Sequence, residues 1–310
     1  MGADDASSTG GTMITTTQRT TRILATAVAM ALGTLLSVPA ASSVAVTPAA
    51  VAKTVATTAA TTATSSGTSA ADEKAAKKKA AKKAKALAAK KAAKKAKAKL
   101  KRLKAKAAAA PALKLGDTGA SVRRLKKLLL KTGYWIPSVS STYTATTAQA
   151  VLALQKSLGF TRDSKVGKEE WLALFQGRLP KATKHKGWVF EVDLSKQVMM
   201  RTHNGKVTLV FNVSTGSNQI YYLNGTAHRA TTPKGTFRIS RKIDGMRHAA
   251  LGTLYRPQYF RSDGYAIHGS PSIPAYPASH GCVRVSNSAI DFLWTKAGRL
   301  DYGSKVSIHQ

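Results

Sequence analysis

Gly264-Tyr-Ala-Ile-His-Gly-Ser270, and after a proline-containing stretch Ala278-Ser-His-Gly-Cys-Val-Arg-Val285, hold the chemistry of this chain. Cys282 is the only cysteine among 310 residues. A single thiol rules out an intramolecular disulfide and any Cys-rich zinc or iron–sulfur site, and leaves an intermolecular partner or a free reactive thiol. Two histidines are candidates for activating it, His268 upstream and His280 two residues away. Side chains at i and i+2 of a strand share a face, so His280 and Cys282 are expected to be neighbours. Gly281 between them allows close approach of a substrate and an unusual backbone angle. The N–H groups of Gly281 and Cys282 are expected to form an oxyanion hole. Thiolate, base and oxyanion donors are the parts that acyl transfer needs. Two blander readings stand beside this one. A lone cysteine is usually a small buried hydrophobe. His268, His280 and Cys282 are also zinc-ligand types, although His-x-Cys is not a usual zinc spacing. His185, His203, His228, His248 and His309 are scattered and carry no assigned role.

Upstream of this stretch the hydrophobic period is two. Val189, Glu191 and Asp193 alternate with Phe190, Val192 and Leu194. Residues 197–203 and 206–213 flank Asn204-Gly205, a strong hairpin signal. Strands are also expected at 235–241, 265–269, 281–285 and 305–309, and one helix at 288–297 capped by Ser286 or Asn287. The region from 186 to 310 therefore reads as a mainly β, sandwich-like domain with one helix, long enough for its own core. Asn212-Val-Ser and Asn224-Gly-Thr match the glycosylation sequon, which is weak evidence.

Residues 112–178 switch to helical spacing. Val122, Leu125, Leu128 and Leu129 lie opposite Arg123, Arg124, Lys126 and Lys127, with Thr118 or Ser121 as the expected cap and Gly133 as the stop. A second helix is expected through Ala150, Val151, Leu154, Gln155 and Leu158, after Thr146 and Thr147 and closed by Gly159. A third, over 168–175, carries Trp171, Leu172 and Leu174.

The N-terminal third builds no core. The chain has 49 Lys and Arg against 14 Asp and Glu, a net charge of +35, and only 6% aromatics. Residues 1–45 read as an export signal. Arg19 and Arg22 precede the apolar run Ile23–Leu36, and Ser37-Val-Pro-Ala-Ala supplies small residues for cleavage. Met13 is the better-placed start. The run is short for a membrane span, though an uncut anchor is the alternative. Residues 46–110 form a low-complexity linker, Ala/Thr-rich and then Lys/Ala-rich. Lys74–Lys106 carries 17 basic residues against Asp72 and Glu73. Alanine and lysine favour helix while like charges four residues apart oppose it, so this segment is expected to be disordered or partly helical. Its partner is a polyanion: wall polymer, anionic membrane surface or nucleic acid, the last disfavoured by the export signal. A solvated spacer with no partner remains open.

The order Leu113-x-x-Gly-Asp-x-Gly, Gly133-Tyr134, Tyr143, Thr147, Ala150-Val-x-x-Leu-Gln155 and Val166-Gly…Trp171-x-x-Leu174 resembles the three-helix peptidoglycan-binding-like domain. From Trp188 onward the chain resembles the L,D-transpeptidases of the YkuD type. The likeness rests on His268-Gly, Ser279-His-Gly-Cys-Val-Arg284, Thr232-Pro-x-Gly-x-Phe237, Asp193–Gln197 and Val213-Ser-Thr-Gly216. It implies peptidoglycan stem peptides as substrate, a location outside the cytoplasm, no cofactor and no metal. It implies Cys282 as nucleophile, His268 as its base and the Gly269 carbonyl as the group that orients the imidazole. His280 and Gly281 would shape the oxyanion site. Arg284, Ser279 and Tyr255 would contact substrate. An L,D-carboxypeptidase, with water as acceptor, and a non-catalytic wall-binding scaffold are the alternatives. Oligomeric state is not legible.

Overall fold

A computed structural model describes residues 70–310. The expected export signal and the Ala/Thr-rich part of the linker lie outside the described residues. The described residues all belong to one compact unit.

Four helices come first: α1 (Ala70–Ala108), α2 (Ala120–Thr132), α3 (Ala145–Leu158) and α4 (Lys168–Gln176). The Lys/Ala segment is one continuous helix of 39 residues, ~60 Å long at 1.5 Å per residue. Its side chains are exposed until the last turns, where Ala107 is buried and Lys106 lies 4.8 Å above the Phe175 ring. Only this end has tertiary support. Helix α2 is entered through Gly119, with no side-chain cap, so neither Thr118 nor Ser121 plays that part. A glycine at φ +111° makes the turn instead. Helix α3 begins with a capping box between Thr144 and Thr147. Gly133, Gly159 and Gly177 end α2, α3 and α4 in the left-handed conformation. Gln155, fully buried, holds the module together: its amide reaches Asp163, the Lys165 carbonyl and Glu170, and it accepts from the Ser164 N–H.

The β region has twelve strands. Five form one sheet in the order β3 (Lys206–Asn212), β2 (Val198–His203), β1 (Trp188–Asp193), β12 (Lys305–His309), β6 (Gly235–Arg238). Asn204 and Gly205 both have positive φ and close the β2–β3 turn. A second sheet runs β11 (Val283–Ser286), β10 (Ala266–Ser270), β9 (Gly252–Tyr259), β7 (Arg241–Lys242), with β8 (Met246–Ala249) also paired to β9. Strands β4 (Ile220–Leu223) and β5 (Thr226–Arg229) form a separate hairpin. Helix α5 (Asn287–Trp294), capped by Ser286 accepting from the Ala289 N–H, follows β11. The expected strand at 235–241 is split between the two sheets as β6 and β7. The expected strand at 281–285 starts later, at Val283.

The two regions share packing. The helical cluster around Leu125, Leu129, Tyr134 and Trp171 also contains Val198, Met200 and Val210 from the first sheet. Trp135, directly after α2, belongs to the β cluster and lies 5.7 Å from Phe211 and 5.4 Å from Phe292. The Trp135 N–H donates to the Val210 carbonyl at 3.0 Å, and the Val210 N–H to the Gly133 carbonyl at 2.8 Å.

Candidate active site

Strands β10 and β11 run parallel, with Ile267 opposite Val283 and His268 opposite Arg284. This pairing brings the histidine strand beside the segment that carries Cys282. His268 is buried, and its Nδ1 lies 2.9 Å from the Gly269 carbonyl. That contact makes Nδ1 the protonated nitrogen and leaves Nε2 with a free lone pair. Burial pushes the imidazole down to about 4, the Gly269 hydrogen bond opposes this, and the Arg284 charge adds to it. Burial raises the Cys282 thiol above its ordinary value, while a backbone hydrogen bond from Ala266 and the Arg284 charge pull it back. His268, Cys282, Arg284, His280 and Ser279 all line one cavity of about 480 Å³.

Residues 279–282 form a tight turn rather than a strand, so His280 and Cys282 do not share a strand face. Gly281 sits at φ +139°, and a Cβ there would meet the Tyr265 ring at 2.5 Å and the Thr231 carbonyl at 2.9 Å. His280, exposed at the cavity wall, makes an edge contact with Tyr221 of β4, ring centroids 4.8 Å apart. The Gly281 N–H donates to Ser279 Oγ at 3.0 Å, and so is not available as an oxyanion donor. Ser279 is buried and its hydroxyl donates to the Cys282 carbonyl at 2.6 Å. With the Gly281 N–H as donor and the Cys282 carbonyl as acceptor, this hydroxyl braces the turn. Tyr255 stands opposite Gly269 in the β9–β10 pairing, on the sheet face away from His268. Its hydroxyl donates to Asp291 of α5 at 2.9 Å, and it is not among the residues lining the cavity.

The other family-like segments converge on the same turn. Thr232 Oγ1 donates to the Gly281 carbonyl at 2.7 Å and accepts from the Gly216 N–H at 2.9 Å. Gln197 grips Thr215 through both ends of its amide, at 2.7 and 2.9 Å. The Ser214 and Arg284 backbones exchange hydrogen bonds. No group of three or more His, Cys, Asp or Glu side chains that could hold a metal ion occurs among the described residues.

A family model for the YkuD L,D-transpeptidase catalytic domain matches residues 187–308, and one described as "Putative peptidoglycan binding domain" matches 118–174. The crystal structure of an L,D-transpeptidase (residues 123–326) from Xylanimonas cellulosilytica is 42% identical, with a TM-score of 0.61, over 64% of this chain and 97% of that one. The chain belongs to the L,D-transpeptidase family. An L,D-transpeptidase from Stackebrandtia nassauensis aligns at 22% identity and a TM-score of 0.36, over 64% of this chain and 95% of that one. No curated protein sequence matches.

The transpeptidase cavity has walls that no motif announced. Arg241 and Arg247 line it along with Arg284, and Tyr221, Tyr265 and Leu251 supply apolar surface. Asp263, the acidic residue among the lining, is paired to Arg261 at 2.6 Å. The β4–β5 hairpin and the β8–β9 hairpin, both unrecognised in the sequence, provide Tyr221 and Arg247. Strands β5 and β8 are four residues each and exposed throughout, so they lack the alternating pattern that marks a half-buried strand.

Proposed function

We propose that this enzyme cleaves a peptide bond in a peptidoglycan stem through an acyl-enzyme on Cys282 and passes the acyl group to an amine of a second stem. The observation that carries the reading is the His268 Nδ1 contact with the Gly269 carbonyl, in a cavity that holds the chain's only thiol. A neutral imidazole with Nε2 unprotonated is a general base. The depressed imidazole and the raised thiol both oppose a resting thiolate–imidazolium pair. The thiol proton therefore moves to Nε2 as the Sγ–carbonyl bond forms. The tetrahedral intermediate collapses when the carbon–nitrogen bond to the terminal D-alanine breaks, and His268 returns the proton to the departing amine. The thioester is then attacked by the acceptor amine, whose proton goes to His268 and on to the leaving thiolate. With the Gly281 amide engaged by Ser279, the Cys282 N–H is the donor we assign to the oxyanion, and Arg284 adds positive potential. Arg241, Arg247 and Arg284 suit the carboxylates of a stem peptide.

The residue pattern of 1–45 supports action outside the cytoplasm, and N-terminal sequencing of the mature protein tests it. For the reaction, a defined tetrapeptide stem is incubated with wild type and with Cys282→Ala, and free D-alanine and dimer are measured. Wild type should release D-alanine and form dimer, and the variant neither. Monomeric tripeptide as the sole product would make water the acceptor.

A further inference from the structure

The segment between His268 and Cys282 has an unusual construction. Pro271, Pro274 and Pro277 recur every third residue. Proline lacks an N–H and pushes its predecessor toward extended backbone, so such a run disfavours a helix or a regular ladder. Residues 271–278 contain neither helix nor strand.

Side chains from elsewhere hold it. Four consecutive carbonyls, Ile273 to Tyr276, accept from them. Ile273 takes Gln149 Nε2 at 3.3 Å and Asn212 Nδ2 at 3.4 Å. Pro274 takes Lys156 Nζ at 3.2 Å, Ala275 takes Arg162 Nη1 at 3.2 Å, and Tyr276 takes Ser214 Oγ at 2.8 Å. Gln149 and Lys156 belong to α3, and Arg162 follows it. Lys156 is only 1% exposed and donates a second bond, at 2.9 Å, to the Val213 carbonyl. Val213 precedes Ser214, whose backbone is bonded to Arg284. Lys156 thus joins both sides of the catalytic turn from the helical module.

A buried ammonium is an expensive way to join two packed surfaces, since an apolar side chain of similar size usually does as well or better. Burial pushes this amine down to about 7, with Arg162 adding to the effect. Protonated or neutral, it can donate to both carbonyls. What an apolar residue could not do is fix carbonyl positions on a segment that has no ladder of its own.

We infer that α3 of the helical module is a positioning element of the catalytic centre, acting through Lys156, with Gln149 and Arg162, on the carbonyls of residues 273–276. The inference rests on the reading of Cys282 and His268 given above. These residues touch no substrate and act through the loop. The α3 face that carries them is spent inside the protein, so any ligand of the helical module binds elsewhere on it.

The test uses the full chain and the soluble tetrapeptide assay. Lys156→Met should lower kcat on the order of ten- to a hundredfold, the scale of a small misplacement of reacting groups. KM for the donor stem should be little changed, and Cys282 should be alkylated more slowly by iodoacetamide at pH 7. Lys156→Arg, which can still bond both carbonyls, should restore most of kcat. Arg162→Ala, at the exposed rim, should cost kcat several-fold. Wild-type kcat and alkylation in Lys156→Met would overturn the inference, as would a loss that Lys156→Arg does not recover. If Lys156→Met fails to fold, wild-type kcat in both Arg162→Ala and Gln149→Ala overturns it. Wild-type turnover that survives Cys282→Ala would instead defeat the underlying reading.

Discussion

At the residue scale, two groups in the cavity resist ionisation, His268 and Cys282. His268 is held down to about 4 by burial and by Arg284, so it is an unprotonated base over most of the accessible range. The kcat/KM profile should therefore show its acid limb near 4 and stay flat through neutrality, falling only where the thiol ionises. A limb near 6.5 would mean that the imidazole is not buried in the working enzyme. Stability follows the same proton. Between about 4 and 6.5 the unfolded chain holds a proton on His268 that the folded chain does not. This group's contribution to stability is intact above 6.5, is lost as the pH falls to about 4, and stays lost below that. Replacing His268 with Gln should flatten that part of the melting-temperature profile. It should also cost on the order of 10² in acylation rate, the range for a missing general base. His280, exposed and packed edge-on against Tyr221, should cost less when changed to Ala. Stopped-flow acylation that ranks the two histidines the other way would reverse their roles.

At the scale of elements, the turn at 279–282 is held by neighbours rather than by its own strand. Thr232→Val removes the donor to the Gly281 carbonyl and the acceptor for the Gly216 N–H. Leaving such groups unpaired costs about 1–3 kcal/mol. Denaturant melts should register that loss, and kcat should fall with it. An unchanged melt with unchanged kcat would mean that the threonine is incidental. Much of this architecture was legible in advance. The Asn204-Gly205 hairpin, His268 as a candidate partner for Cys282 and a cap at Ser286 or Asn287 follow from turn chemistry, residue type and helix-entry rules. Alternation at 281–285 predicts strand throughout, whereas Gly281 takes a positive φ and the strand begins only at Val283. Which sheet face Tyr255 occupies depends on the register shift between the Ile267 and Gly269 pairings, which the sequence does not show. The proline period at 271, 274 and 277 is visible in the sequence, but its meaning depends on donors 61 to 124 residues away.

At the scale of the whole molecule, α1 changes what a truncation should do. Its last turn is part of the helical module, through Ala107 and the Lys106–Phe175 contact, whereas the preceding turns stand in solvent. Deleting residues 71–99 should leave the melting temperature and soluble-stem turnover unchanged. Extending the deletion to 110 should destabilise the module. If the lysines serve as a wall anchor, binding of the wild type to isolated walls should fall as salt shortens the screening length from about 8 Å at 0.15 M to about 3 Å at 1 M. The shortened protein should bind weakly at every salt concentration. Equal sedimentation of both forms would move wall binding to the helical module. The central claim, an acyl-enzyme on Cys282, is tested most directly by intact mass after mixing with a defined tetrapeptide stem. The wild-type protein should gain the mass of the stem less D-alanine, with the adduct on the peptide containing Cys282, and Cys282→Ala should gain nothing. D-alanine release with no adduct on Cys282, or the same adduct on the Cys282→Ala protein, would contradict it.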